Sequence, residues 1–281
     1  MSTTLGTRTT AIPQATSQPL VMVGRTLVAF GLIGIGVTHF VFGDFMLGRA
    51  PPWPDGVPGK GLWTGASGTS VILAGIAILM GRRVRAVALF IAALIAVWAL
   101  ARNLPVLFID APFAGSWTRL GKAWTLLGGA LAVAATAPPI ERGSACMRRL
   151  IDATDGFTTA ARVLLGLFLL LTGVQHFLHT PFVASLIPAW FPGDAVSWTY
   201  VAGIALIVFG AGLLAPATAP LAALLAGCMV FSWFWIVHLP RTLVSMSDGV
   251  AIFEALAVSG IGFLLAGSLR QSSPAATTTP E

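Results

Sequence analysis

The sequence predicts an all-α fold, a polytopic membrane protein with eight transmembrane helices arranged as two parallel-repeat four-helix bundles. The first observation is composition: 56% of the residues are hydrophobic, only 9% are charged, and the mean hydropathy is +0.88. Soluble domains lie far from these values. The second is a series of apolar runs, each long enough to cross a hydrocarbon core of about 30 Å. The third is that the sequence matches itself at a spacing of about 135 to 137 residues.

The apolar runs define the predicted helices in chain order. They lie near residues 21–42, 62–80, 86–106, 121–139, 161–180, 198–215, 218–239 and 249–267. Backbone groups in lipid must bond within their own segment, so continuous runs rich in Leu, Ala and Gly predict helices. No alternating pattern of the kind found in β-barrels is present.

The polar segments set the predicted domain boundaries. Residues 1–20 and 269–281 are short of apolar residues and are predicted to be disordered tails. Residues 141–160 carry Gly and mixed charge and are predicted to be a cytoplasmic linker. The first four-helix repeat is therefore expected over 21–140 and the second over 161–268.

The internal match pairs residues of uncommon types. The matched pairs are Arg25 with Arg162, Gly36 with Gly173, His39 with His176, Phe40 with Phe177, Trp53 with Trp190, Trp63 with Trp198, Gly68 with Gly203, and Trp98 with Trp233. The tripeptide Asn-Leu-Pro at 103–105 likewise meets His-Leu-Pro at 238–240. Four helices per unit is an even number, so both units would enter the membrane in the same orientation, as parallel repeats.

The distribution of Lys and Arg predicts the orientation. Ten basic residues fall on the side that holds both termini: Arg8, Arg25, Arg82, Arg83, Arg85, Arg142, Arg148, Arg149, Arg162 and Arg270. Six fall on the other side: Arg49, Lys60, Arg102, Arg119, Lys122 and Arg241. Basic loops are retained in the cytoplasm, so both termini are expected there, with the chain integral to the plasma (inner) membrane. The net charge of +6 is thus a topology signal, and nucleic acid is not expected as a partner.

The motifs of each unit carry a resemblance to a known family. They are an Arg near the start of the first helix, a Gly-x-x-His-Phe near its end, a Pro-rich loop with Trp, and a Gly-rich second helix followed by a basic turn. This pattern resembles the DoxX-like family of small four-helix membrane proteins, here with the unit duplicated. The resemblance implies a membrane subunit associated with an oxidoreductase, as in thiosulfate:quinone oxidoreductase, or a chaperone or assembly factor.

Polar residues at membrane depth gather at the outer ends of the predicted helices. Ionisable residues in such positions usually face a bundle interior or a cavity. The candidate ligand-binding residues of the second unit are His176, His238, Glu254, Trp190 and Trp233. Their first-unit counterparts are His39, Asn103, Lys122, Trp53 and Trp98. Because the first unit has Asn and Lys where the second has His and Glu, the second is expected to hold the active site.

Two kinds of chemistry fit the second set. His176, His238 and Glu254 could bind a divalent metal, or they could relay protons to a quinone-like head group. No dense His/Cys motif is present, so metal or haem is not expected, and quinone is the cofactor left open. Structural roles compete with both, since His and Trp also anchor helices at the membrane interface. His39 in particular is expected to be such an anchor or a structural remnant of a site. His179, which is three residues after His176, is expected to share its helix face.

Lys122 and Glu254 are predicted to stand at the starts of the fourth and eighth helices. There the helix dipole stabilises a carboxylate and opposes a cation. Lys122 is therefore expected to pair with an acidic group or a ligand anion.

The function hypothesis is a membrane subunit or accessory of a redox or cell-envelope process, with a pocket open to the outer side. If the chain has enzyme activity, it would be as an oxidoreductase-associated subunit. One alternative is a non-catalytic assembly factor or chaperone that binds a partner protein on the outer side. A weaker alternative is a carrier for a small amphiphile, in which flux would depend on Glu254.

Overall fold

The computed structural model is all-helical in the residues that it describes, which are 18–46, 49–139, 153–246 and 249–271. Its long helices are α1 (Gln18–Phe42), α2 (Lys60–Leu79), α3 (Val84–Ile109), α4 (Ala114–Ala135), α5 (Thr154–Leu178), α6 (Ala195–Leu214), α7 (Ala219–Val244) and α8 (Gly249–Gln271). A five-residue helix, Thr180–Ala184, follows α5. The predicted all-α class is confirmed, while most of the tails and the linker lie outside the described residues.

Seven of these helices are long and apolar enough to cross a membrane. The helix outside that set is α4, whose first nine residues include Arg119 and Lys122. The chain is therefore a polytopic membrane protein by its helix content, and α4 is the helix whose relation to the bilayer is open.

The helices pack as a closed ring, with further contacts from α8 to α4 and α5. Along the chain, α1 packs on α2, α2 on α3, α3 on α4, α4 on α5, α5 on α6, α6 on α7 and α7 on α8. The most extensive contact of all joins α8 back to α1. This differs from two self-contained four-helix bundles, because α4 and α8, the last helices of the two predicted units, pack extensively against the first helix of the other unit.

Glycines allow the closest helix pairs to approach. A Cβ on Gly24 would lie 2.6 Å from the Gly260 carbonyl oxygen, where α1 crosses α8. A Cβ on Gly36 would lie 2.8 Å from the Gly68 carbonyl oxygen, where α1 crosses α2. Within lipid, packing two apolar helix faces releases no water and gives no hydrophobic driving force. Close backbone-to-backbone packing is therefore a main source of helix association.

Two helices contain a π-helical turn near the same end of the ring. In α3 the turn is Ala99–Asn103, and in α7 it is Phe234–His238. Each is followed by Leu-Pro, and proline has no N–H to donate to the preceding helical turn. The amides of Leu104 and Leu239 instead donate to the carbonyls of Ala99 and Phe234, five residues back. The π turns let both helices continue past proline.

The two ends of the ring differ in their polar contacts. At one end, Arg25 donates to the Thr136 carbonyl at 2.7 Å and Arg162 donates to the Leu214 carbonyl at 2.9 Å. Both arginines satisfy carbonyl groups at helix C-termini. We call the opposite end, which holds His39, His176, His238 and Glu254, the histidine end.

Candidate functional site

The site in the second half begins with His176, two residues before the end of α5. Its Nδ1 lies 2.7 Å from the Thr172 carbonyl oxygen, one helical turn earlier. A carbonyl can only accept a hydrogen bond, so Nδ1 is the protonated nitrogen of the neutral ring. The other nitrogen, Nε2, is then left as an acceptor. His179 ends α5 with a non-helical backbone and an exposed side chain, so the expectation that it shares a helix face with His176 is wrong.

An apolar cavity of about 400 Å³ opens beside His176. Helices α5, α6 and α7 and the loop after Thr180–Ala184 enclose it. Its lining includes His176, Phe191, Trp198, Met229, Trp233 and His238. The π turn of α7 begins directly after Trp233 and ends at His238, so the residue before the turn and the last residue of the turn both border the cavity. The ring of Trp233 stacks on that of His176, with centroids 6.2 Å apart.

A second, charged cavity of about 170 Å³ lies between α4, α5, α6, α7 and α8. It is bordered by Lys122 and Glu254 and by the apolar side chains of the neighbouring turns. His176, Trp233 and His238 border both cavities. The two spaces therefore adjoin at these three side chains, and the residues predicted for the second-unit site meet there with the exception of Trp190.

Lys122 and Glu254 form an ion pair on the charged cavity. The Lys122 Nζ lies 2.6 Å from Glu254 Oε2, and the Arg49 Nε lies 3.3 Å from the same oxygen. The other oxygen, Oε1, is buried and has no hydrogen-bond partner among the described residues. The prediction that Lys122 has an acidic partner is confirmed.

The reason given for that pairing is wrong, however. Helix α4 begins at Ala114, seven residues before the predicted start, so Lys122 lies in its third turn. The helix dipole acts mainly on the first turn and cannot be the cause. Lys122 has a partner because its side chain is only 23% exposed, and a buried cation is costly when it is unpaired.

In the first half, a histidine at the end of a helix lies next to a buried phenylalanine. His39 is fully buried, and its Nδ1 donates to the Ile35 carbonyl at 2.8 Å. The ring of Phe45, 2% exposed, lies 6.1 Å from that of His39 and 4.7 Å from that of Trp98. Trp53 stacks on the far side of Phe45 at 5.4 Å. His39 is therefore a core residue, which agrees with the structural role expected for it, although a fully buried ring is not an interface anchor.

The remaining predicted residues are divided between core and surface. Asn103 is buried at the end of the α3 π turn. Trp190 is 63% exposed in the loop and does not border either cavity. Its role in ligand binding stays a prediction.

Sequence reasoning missed Phe45 and Arg49. The signal for Phe45 was available, since the spacing of 137 residues that pairs His39 with His176 also pairs Phe45 with Phe182. Phe182 is 65% exposed, so the paired phenylalanines have opposite environments. Arg49 gave no comparable signal, because it reaches Glu254 from a loop that is distant in sequence.

The site does not have the geometry of a metal centre. No three His, Cys, Asp or Glu side chains come together as a metal-binding group in the part of the chain that the structure describes. The set His176, His238 and Glu254 therefore does not form the metal site weighed in the sequence analysis. What the arrangement offers is a largely apolar chamber with hydrogen-bonding groups at one side.

Comparison with known proteins gives one match. A family model described as a domain of unknown function, DUF8561, matches residues 165–257. That range contains His176, Trp233, His238 and Glu254, and it begins within α5 and ends within α8. No curated protein and no solved structure matches the chain.

Proposed function

We propose that the chain is a DoxX-like integral membrane protein in which a four-helix unit occurs twice, with α4 as an eighth membrane crossing. The length of α4 supports this, since 22 residues of helix span about 33 Å. Its two basic residues lie in its first nine positions, near the histidine end, and Lys122 is neutralised by Glu254. An eighth crossing returns the chain to the side from which α1 started.

The duplication is supported by matched geometry in the two halves. Each histidine donates to the carbonyl four residues earlier. A Cβ on Gly68 would lie 2.9 Å from the His39 Cβ, and a Cβ on Gly203 would lie 2.9 Å from the His176 Cβ. The two π turns, each followed by Leu-Pro, are a third correspondence. Agreement in such local detail is what two copies of one unit would give.

The orientation that we propose puts both termini in the cytoplasm of a cell with a plasma (inner) membrane, and the histidine end on the outer side. The excess of arginine at the opposite end supports it. The apolar cavity then lies near the outer leaflet.

The function we propose is binding of a quinone-like amphiphile in the apolar cavity, as a membrane subunit or accessory of a redox process. One observation carries it: the space beside His176 and Trp233 is open, whereas the corresponding space beside His39 and Trp98 is filled by Phe45. A packed unit needs no such chamber, and voids in protein interiors are costly. Ligand pockets of about 300 to 1,000 Å³ with few polar groups are typical of small-molecule sites.

The test is direct binding to the protein purified in mild detergent. Decylubiquinone is titrated by calorimetry into the wild type, Ala205→Phe and Leu221→Phe. Ala205 lines the apolar cavity, whereas Leu221 is 57% exposed on the surface of α7, so only the first substitution fills the chamber. We expect Ala205→Phe to lower the affinity at least tenfold and Leu221→Phe to leave it unchanged. Equal saturable binding by all three proteins would refute the site.

A second candidate function, docking of a partner protein at the histidine end, is favoured by exposed apolar side chains there. Leu243 and Val244, at the end of α7, are 80% and 90% exposed, and Phe108 and Ile109, at the end of α3, are similarly exposed. Exposed apolar clusters on this scale often mark interaction sites. An assembly role predicts that Leu243→Ser/Val244→Ser changes the co-purifying proteins without changing quinone binding.

A further inference from the structure

The charged cavity indicates which ligand head group the proposed binding site prefers. This inference rests on the proposed function. The apolar and charged cavities adjoin at His176, Trp233 and His238. A ligand body in the apolar cavity can therefore extend its polar head towards Glu254 and Lys122. The hydrogen-bonding groups at that point decide which head group fits.

The two side chains of the ion pair have donors and acceptors that no hydrogen bond in the pair uses. Glu254 is 5% exposed, and its Oε2 accepts a hydrogen bond from Lys122 and lies 3.3 Å from the Arg49 Nε. Its Oε1 is buried without a partner in the described residues. A buried acceptor of this kind favours any ligand that brings a donor. The ammonium of Lys122 has three donor hydrogens, of which the bond to Glu254 uses one.

The site thus presents an acceptor and donors side by side. A hydroxyl group can donate to Glu254 Oε1 and accept from Lys122 Nζ at the same time. A quinone carbonyl can only accept, so it would leave Oε1 without a partner. A carboxylate would meet Lys122 favourably but would also face the Glu254 oxygen with like charge. His176 Nε2, the free acceptor beside both cavities, again favours a ligand that donates.

We propose that the site selects a neutral, hydroxyl-bearing amphiphile, and within the quinone class binds the quinol in preference to the quinone. The hydroxyl donates to Glu254 Oε1 and accepts from Lys122 Nζ beside their direct contact, and the apolar body fills the chamber beside Trp233. Preferential binding of the reduced form raises the midpoint potential of the bound couple. For this two-electron couple, each tenfold preference raises it by about 30 mV.

A pair of redox-inert probes tests the head-group preference in the wild-type protein. 4-Nonylphenol has the hydroxyl donor, and 4-nonylanisole differs by a methyl group that removes it. We expect the phenol to bind at least tenfold more tightly. 1-Decanol distinguishes the two sources of hydroxyl, because a ring-shaped chamber favours the phenol and a site for aliphatic lipid alcohols favours decanol. Binding of decanol tighter than that of the phenol would overturn the quinol assignment.

Variants link the preference to the ion pair. Glu254→Gln/Lys122→Met removes both charges together, and Lys60→Met is the control. Lys60 forms a more exposed pair with Asp44, with Nζ 2.9 Å from Oδ2. We expect the double variant to bind phenol and anisole about equally, and the Lys60 variant to keep the preference.

The outcomes separate this inference from the proposed function. Equal binding of phenol and anisole by the wild type, with both abolished by Ala205→Phe, refutes the hydroxyl preference and leaves the cavity as a binding site. Retention of the preference in the double variant also refutes it. Failure of every probe and of decylubiquinone to bind refutes both. The wild-type comparison needs no variant, so a double variant that does not fold leaves the test intact.

Discussion

The loss of stability on removing one member of the buried ion pair should depend on which member is removed. Glu254 is the single anion that Lys122 and Arg49 share among the described residues. Glu254→Gln therefore leaves two cations near each other without that anion. Lys122→Met leaves Glu254 with Arg49 still 3.3 Å away. We expect Glu254→Gln to destabilise the protein more than Lys122→Met.

The expected loss of stability follows from the distances between the charged atoms. At an effective dielectric constant of about 20, charges 2.6 Å apart attract by roughly 6 kcal/mol. Desolvation offsets much of that attraction, and removal of one partner from a buried pair typically costs about 3–5 kcal/mol. Arg49 is 37% exposed, so its own contact is screened and contributes about 1 kcal/mol or less. The predicted costs are about 4–5 kcal/mol for Glu254→Gln and about 3 kcal/mol for Lys122→Met.

The assay is the free energy of unfolding in mixed micelles, measured by SDS titration with tryptophan fluorescence as the readout. The double variant Glu254→Gln/Lys122→Met contains no unpaired buried charge from this pair. We expect it to cost at least about 2 kcal/mol less than the sum of the single variants, which is the signature of direct coupling. Additivity within about 0.5 kcal/mol, or a larger cost for Lys122→Met than for Glu254→Gln, would refute the reasoning.

Three further predictions concern packing and capping. Phe45→Ala should cost about 3–5 kcal/mol because it empties a filled core space, whereas the exposed Phe182→Ala should cost about 0.5 kcal/mol or less in the same titration. Gly262→Ala, whose Cβ would lie 2.7 Å from the Gly227 Cα, should lower the thermal midpoint, and Gly65→Ala, which meets nothing within 4 Å, should not. The Ser197 amide and hydroxyl lower the pKa of Asp194, the N-cap of α6, so the stability this cap adds is present above the ordinary carboxyl pKa and is lost as the pH falls through the lowered value. Thermal midpoints of wild type and Asp194→Ala should therefore converge in acid, and a constant difference across the range would contradict the cap.

The positions of the helices could be predicted because each helix must be apolar over the length of a membrane crossing. An apolar run of about 20 residues marks each predicted span, and six predicted starts agree with the observed ones to within a few residues. The two exceptions are α4 and α5, which begin earlier than predicted, at Ala114 and Thr154. The start of α4 could not be found in this way, since 114–120 includes Gly, Ser, Thr and Arg, which do not extend an apolar run. The π turns were also missed. Pro105 and Pro240 indicate a break in α-helical bonding, but not that a wider turn would repair it.

Some residues of the site could be predicted from the sequence, but whether the cavity beside them is open could not. Repeat spacing and membrane depth pointed to His176, His238 and Glu254, and these residues do border adjoining cavities. Whether a chamber is open depends on the direction of one or two large side chains. Phe45 and Phe182 are the same residue type at matched positions, so nothing in residue type distinguishes the buried ring from the exposed one.

The contrast between the two halves locates the cause of the opening in the segment that follows each histidine. The bond from His Nδ1 to the carbonyl four residues earlier is the same in both halves, and it is local to one helix. It therefore cannot make one histidine a core residue and the other a cavity residue. After α1 the chain turns at Gly43, which has a φ of 61°, and Asp44 accepts a hydrogen bond from the Phe45 amide as that ring turns inward. After α5 the chain instead enters the helix Thr180–Ala184, which carries Phe182 outward. The few residues after each histidine thus set whether the phenylalanine that follows packs beside it or points outward, and the function proposed for the second half depends on that short helix as much as on the polar side chains beneath it.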